Sequence, residues 1–243
     1  MHAFPECLDL FDETGTDAPL TVQISGLAPS EIGALPVFGD RLRWQMGDPG
    51  AQAGPAPAFH FVIWHEDLAG PLAAKMAAPD FRSIVVILHR ADQVPSAASV
   101  RPVVHVCYEG EAKDAVLHLV APLLMPLVYR SVVCVALEDF EFFFAHGGRL
   151  RCLAETRGED LAVCLADLAW QLADTERQLG GFSRLLASMI LPSPLPPVSV
   201  VDRVLATVAQ VNSADDPDWL VSTLVHGEVT SRICVYALEA IQA

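Results

Sequence analysis

Four short segments of almost unbroken apolar sequence constrain this chain more than any other feature: Leu20–Ser25 (LTVQIS), Phe59–Trp64 (FHFVIW), Ser83–Leu88 (SIVVIL) and Val103–Cys107 (VVHVC). Each is rich in β-branched or aromatic residues and bounded by turn formers, which predicts a strand. A strand with one wet face alternates apolar and polar residues, and these do not. They therefore predict a parallel sheet covered on both faces. The 243 residues are 52% hydrophobic and 19% charged, the balance of a packed core rather than of disorder.

Charge excludes whole classes of partner. Thirty Asp and Glu against fifteen Lys and Arg give −15 with His neutral, a field that repels phosphate, so neither nucleic acid nor an anionic membrane is an expected partner. The start of the chain, MHAFPECLDLFDE, has acids where a signal peptide carries cations, and the most apolar stretch, 115–137, is interrupted by His118, Pro122, Pro126 and Arg130. A cytoplasmic protein without a membrane span is expected. The six cysteines stand singly in apolar contexts, without a CxxC pair, and read as reduced core thiols.

The second half has a different rhythm. Glu138–His146 (EDFEFFFAH) begins with acids and ends at Gly147-Gly148, as a helix does. A strand over Arg149–Thr156 follows, and Gly158-Glu159-Asp160 then opens a periodic helix with Leu161, Cys164, Leu165, Leu168 and Leu172 on one side. A strand at Ser183–Ile190, a helix at Ser199–Val211, and strands at Trp219–His226 and Ser231–Tyr236 complete the pattern. The last two strands read as a hairpin-like pair, giving a four-stranded mixed sheet with helices on one face. Between the halves, Pro122 and Pro126 forbid a single straight helix over Glu111–Arg130, so a broken one is expected.

The segment VVCVALEDFEFFFAHGGRLRCLAETRGEDLAVCLADLAWQL, with the element order after it down to SRICVYAL, resembles the C-terminal domain of the tubulin/FtsZ GTPase family. The most specific match is Gly158-Glu159-Asp160-Leu161-Ala162. The resemblance implies an α/β fold: a reduced, Rossmann-like, degenerate nucleotide-binding half over 20–129, after an N-terminal extension over 1–19, and an FtsZ C-terminal-like domain over 130–243.

That family binds its nucleotide on glycine-rich loops after the first and fourth strands, because only bare backbone can reach the phosphates. Here the corresponding loops read SGLAPSEIGALP and HEDLAGPLAAK. The only lysines, Lys75 and Lys113, follow no GxxxxG run. The family's catalytic loop pattern of Asn, Asp and a second carboxylate falls on Cys134, Ala136 and Asp139. One carboxylate is left, and Asp139 is expected to cap the following helix.

No catalytic residue, cofactor or metal is therefore assigned, and the enzyme question leans towards no. The resemblance implies a non-catalytic, FtsZ-like protein acting through self-assembly or a protein partner, either a second copy or an FtsZ-type protein. Its interaction residues are expected to be Cys134, Ala136 and Asp139 on the apolar loop SVVCVALED and Phe140 directly after it. Two alternatives stand beside this. One is a divergent GTPase with a phosphate site at Ser25-Gly26 and Gly70. The other is a small-molecule-binding protein or enzyme using a cleft between the halves, suggested by His60, His65 and His89, although His60 and His65 point to opposite faces of one strand. The run Phe140–Phe144 and the turn Asp215–Asp218 are read as a buried helix face and a solvated loop.

Overall fold

The computed structural model describes residues 19–36, 41–47, 57–93, 95, 101–129, 133, 135–192, 198–214, 216–226 and 230–241. The chain divides into two compact units. The first comprises Ala18–Ala121, Leu137–Leu150 and Ala240–Ala243, and the second is built from Pro122–Ala136 and Arg151–Glu239. The sequence placed a single boundary at 129/130. In the structure the region 137–150 groups with the first half, because Phe140 packs on Phe59 there.

The first unit contains β1 (Leu20–Ser25), α1 (Pro29–Ile32), β2 (Leu42–Met46), β3 (Phe59–Ile63), a 3-10 turn (Glu66–Leu68), α2 (Ala69–Met76), β4 (Ile84–His89), β5 (Val103–Cys107), α3 (Ala112–Leu119) and α5 (Leu137–Phe143). Its strands lie in the order β2-β1-β3-β4-β5, all parallel, and the first residues of β6 (Gly148–Gly158) pair with β5. Every residue of β3 and β4 is buried, as expected for strands covered on both faces. One face packs Val62, Trp64, Val85, Ile87 and Val103 against Leu72 and Met76 of α2. On the other, Phe59 stacks on Phe61 and meets Phe140 of α5 edge to face. β2, α1 and α2 have no counterpart in the sequence expectation.

The expected broken helix is present. After α3, Val120–Leu124 winds as a π-turn before α4 (Met125–Val128). Pro122 lacks the N–H that a regular helix would use, and the wider turn absorbs that loss.

The second unit holds α4, most of β6, α6 (Leu161–Leu179), β7 (Arg184–Pro192), α7 (Val198–Val211), β8 (Asp218–His226) and β9 (Ser231–Glu239). Asp160 caps α6, its Oδ1 accepting the N–H of Ala162 at 2.7 Å and of Val163 at 3.4 Å, which satisfies donors that have no partner within the helix. α6 and α7 cover one face of the sheet, with Leu168, Leu172, Val204 and Val208 on Leu185, Met189, Ile233 and Val235.

The hairpin expectation is corrected here. The order is β6-β9-β7-β8, and β9 runs antiparallel to β7 rather than pairing with β8. Seven apolar or small residues in β9 leave it almost wholly buried, so it occupies a central position where it has a neighbour on each side. The thiols also need correction. Cys164 and Cys234 are buried and Cys107 and Cys152 exposed, all four free. Cys7 lies outside the described residues. Among those residues no helix is long and apolar enough to cross a membrane.

Candidate functional site at the carboxyl ends of the parallel strands

In the order β2-β1-β3-β4-β5 the chain leaves β1 to one side for β2 and to the other for β3. Open α/β sheets receive ligands at such a switch point, outside the carboxyl ends of the strands. The residues placed there determine what this protein can hold.

At the switch point the polar groups are bound to one another. Ser25 Oγ donates to the Gly47 carbonyl at 2.6 Å and lies 2.9 Å from His60 Nε2. A hydroxyl has one proton and Gly47 takes it, so the neutral tautomer with Nε2–H satisfies the contact, and His60 cannot act as a base towards Ser25. His60 is fully buried and its Nδ1 has no hydrogen-bond partner. Burial, with the Lys75 ammonium adding to it, lowers its pKa to about 3, which keeps the ring neutral. On the same strand as Ser25, Gln23 accepts through Oε1 a hydrogen bond from Lys75 Nζ of α2 at 2.6 Å.

A Cβ at Gly47 would overlap the Gln23 side chain, which would have to shift. Gly26, at φ +88, would place a Cβ 2.7 Å from the Ile63 carbonyl. These glycines serve strand packing and β1's exit.

The rim beyond is acidic. β3 is followed by exposed His65, Glu66 and Asp67, β4 by Arg90 and Asp92, and β5 by Glu109 and Glu111. Glu66 and Asp67 precede α2, where they complement the positive end of the helix that an anion would otherwise use. Ser25 is engaged as described, and Gly70 is exposed within α2. Of the histidines named from sequence, His60 and His89 are buried and His65 is exposed. His89 packs edge to face on His105 at 5.7 Å, and among the described residues no three His, Cys, Asp or Glu side chains are grouped to hold a metal.

In the segment aligned with the catalytic loop, Cys134 lies outside the described residues. The Val133 N–H donates to Thr223 Oγ1 at 2.9 Å, and Ala136 is exposed. Asp139 is exposed within the first turn of α5, where its charge complements the helix dipole. Phe140 is fully buried, 5.9 Å from Phe59 and 6.2 Å from Phe144, so it belongs to the core. Phe142, which the sequence reading missed, is 75% exposed. The helical phase could have found it: Phe140, Phe143 and Phe144 share the inward side, and Phe142 faces away with Glu138 and Asp139.

No protein-family model matches the chain, and no curated protein does. Solved structures do. The W319Y mutant of FtsZ from M. jannaschii superposes with a TM-score of 0.60 at 9% identity, covering 92% of each chain. The empty FtsZ dimer from the same organism gives 0.54 at 11% identity over 75% of this chain and 63% of that one. TubZ of Bacillus thuringiensis serovar israelensis, in GDP-form protofilaments, gives 0.53 at 12% identity over 76% and 60%. The chain thus spans under two thirds of the FtsZ of the dimer and of TubZ. Its mixed α/β architecture, with nine mostly parallel strands among the described residues, is an FtsZ- and tubulin-like fold.

Proposed function

We propose that this chain is a non-hydrolysing relative in the FtsZ mould that acts by association, with itself or with a protein partner. The observation that carries the reading is the carboxyl-end rim of the parallel sheet. Where a triphosphate would need bare N–H donors and cations, the chain presents Glu66, Asp67, Asp92, Glu109 and Glu111, and it engages Ser25 and Lys75 in contacts of their own. The solved relatives described as a dimer and as protofilaments lend support to association as the shared property.

The contact surface proposed is the segment 131–142. Cys134 and Ala136 stand where a wet catalytic loop carries polar groups, Asp139 marks the start of α5, and exposed Phe142 takes the place first given to Phe140. An apolar contact with no phosphate to accommodate has no reason to cycle with hydrolysis.

Three measurements test this. Calorimetric titration with GTP, GDP and ATP in Mg²⁺ buffer is expected to give no binding heat, and micromolar affinity for any of them overturns the non-hydrolysing reading. Light scattering at tens of micromolar is expected to show association in the wild type that is lost in Ala136→Asp and in Phe142→Ser. Monomers throughout, or equal association in all three, removes the segment as the contact. Phosphate release rising with protein concentration and abolished in Asp139→Ala would favour a divergent GTPase instead.

A further inference from the structure

Helix α6 is finished on its inner side and conspicuously unfinished on its outer one. Cys164, Leu165, Leu168 and Leu172 are buried in the core of the second unit, and Gln171 and Thr175 hydrogen-bond to the β6 backbone beside them. On the opposite side Val163 is 65% and Trp170 67% exposed. Seven residues are almost two full turns, so these two stand in line, with exposed Ala166 beside them. A tryptophan in water adds nothing to folding, whereas tryptophan is the residue type most enriched among the anchors of protein interfaces.

The charge around this stripe specifies its partner. Asp167 lies one turn from both apolar residues, its Oδ2 accepting a hydrogen bond from Gln171 at 2.9 Å. Asp174 follows Trp170 by one turn and pairs with Arg177 at 3.4 Å. Over residues 160–179 the carboxylates Asp160, Asp167, Asp174 and Glu176 face Arg177 as the sole cation. A second copy of a chain carrying −15 would meet its own repulsion here, and so would an anionic membrane. We infer that the outer face of α6 docks a cationic amphipathic segment of another protein, with Val163 and Trp170 receiving its apolar side and Asp167 and Asp174 its Lys or Arg side chains. This face is distinct from the segment 131–142, so the inference stands or falls separately from the proposed function.

The probe is a fluorescein-labelled synthetic helix with Leu along one face and Lys along the other, followed by anisotropy in ~0.15 M salt. Its control is the same peptide with Glu in place of every Lys. The Leu/Lys peptide is expected to bind the full chain, about tenfold or more weakly in Trp170→Ser. In the double variant Asp167→Asn, Asp174→Asn it should bind more weakly and with a flatter salt dependence. Trp170 and Asp167 are exposed and the Asp174 side chain is about half exposed, and circular-dichroism melting establishes that the variants are folded. Equal binding by the Trp170→Ser variant, equal binding of the Leu/Glu peptide, or no binding at all overturns the inference. So does a blue shift of Trp170 emission on neutral phosphatidylcholine vesicles without peptide binding, which would make the stripe a lipid contact.

Discussion

His60 shows how burial holds a titratable residue inert. Its ring is sealed between strands, with Ser25 supplying an acceptor and Lys75 discouraging a second proton. The consequence is measurable. The folded-state pKa of about 3 lies below the unfolded value of 6.5, so below pH 6.5 the unfolded chain takes up a proton that the folded one refuses. Stability is untouched above that pH and falls as pH drops from 6.5 towards 3, by on the order of 5 kcal/mol over the whole window. His105, lowered to about 4 chiefly by burial, adds to the slope in the same direction. Urea midpoints between pH 7 and pH 4 are expected to decline less steeply in His60→Gln than in the wild type, and parallel slopes would show that the ring does not govern this range. Gly26→Ala should cost about 1–3 kcal/mol, read from the same titrations at neutral pH, because both the φ of +88 and the Ile63 carbonyl oppose a side chain.

Helix phase decides what the aromatic run in α5 does. Phe140→Ala is expected to lose about 3–5 kcal/mol in chemical denaturation, whereas Phe142→Ala changes stability by less than about 0.5 kcal/mol; equal losses would mean that both rings are buried in solution. Asp160→Ala should cost about 1 kcal/mol, the usual worth of a side-chain cap. Elements whose signal is local were legible in the sequence: the four apolar strands, the break at Pro122, and α6 with its acidic start. β2 was not, since LRWQM has one buried residue and leans on β1 for its identity as a strand. The place of β9 was hidden for a related reason, because two adjacent strands in sequence suggest a hairpin, and only competition for a doubly covered position sends the second one elsewhere. At the site, the loop sequences SGLAPSEIGALP and HEDLAGPLAAK could be read directly. The tie among Ser25, Gly47 and His60 could not, since its members are 22 and 35 residues apart in sequence and meet only through strand register.

At the scale of the whole molecule, a charge of −15 opposes any contact between copies. Salt shortens the reach of that repulsion, to a Debye length of about 8 Å at physiological strength. Association measured by light scattering should therefore increase between ~0.02 M and ~0.3 M NaCl, and a decrease would indicate that complementary charges, rather than apolar surface, hold the copies together. The order of strands in the second unit bears on how the chain comes to be folded at all. β9 sits between β6 and β7 yet is translated after β8, so a ribosome delivers every other strand of this sheet before the one that bridges them. Until residue 239 has emerged, β6 and β7 each present an unpaired edge, and edges of that kind capture whatever strand is nearest. The nascent chain thus passes through a period of exposure to mispairing that ends only when β9 slides between two strands already made.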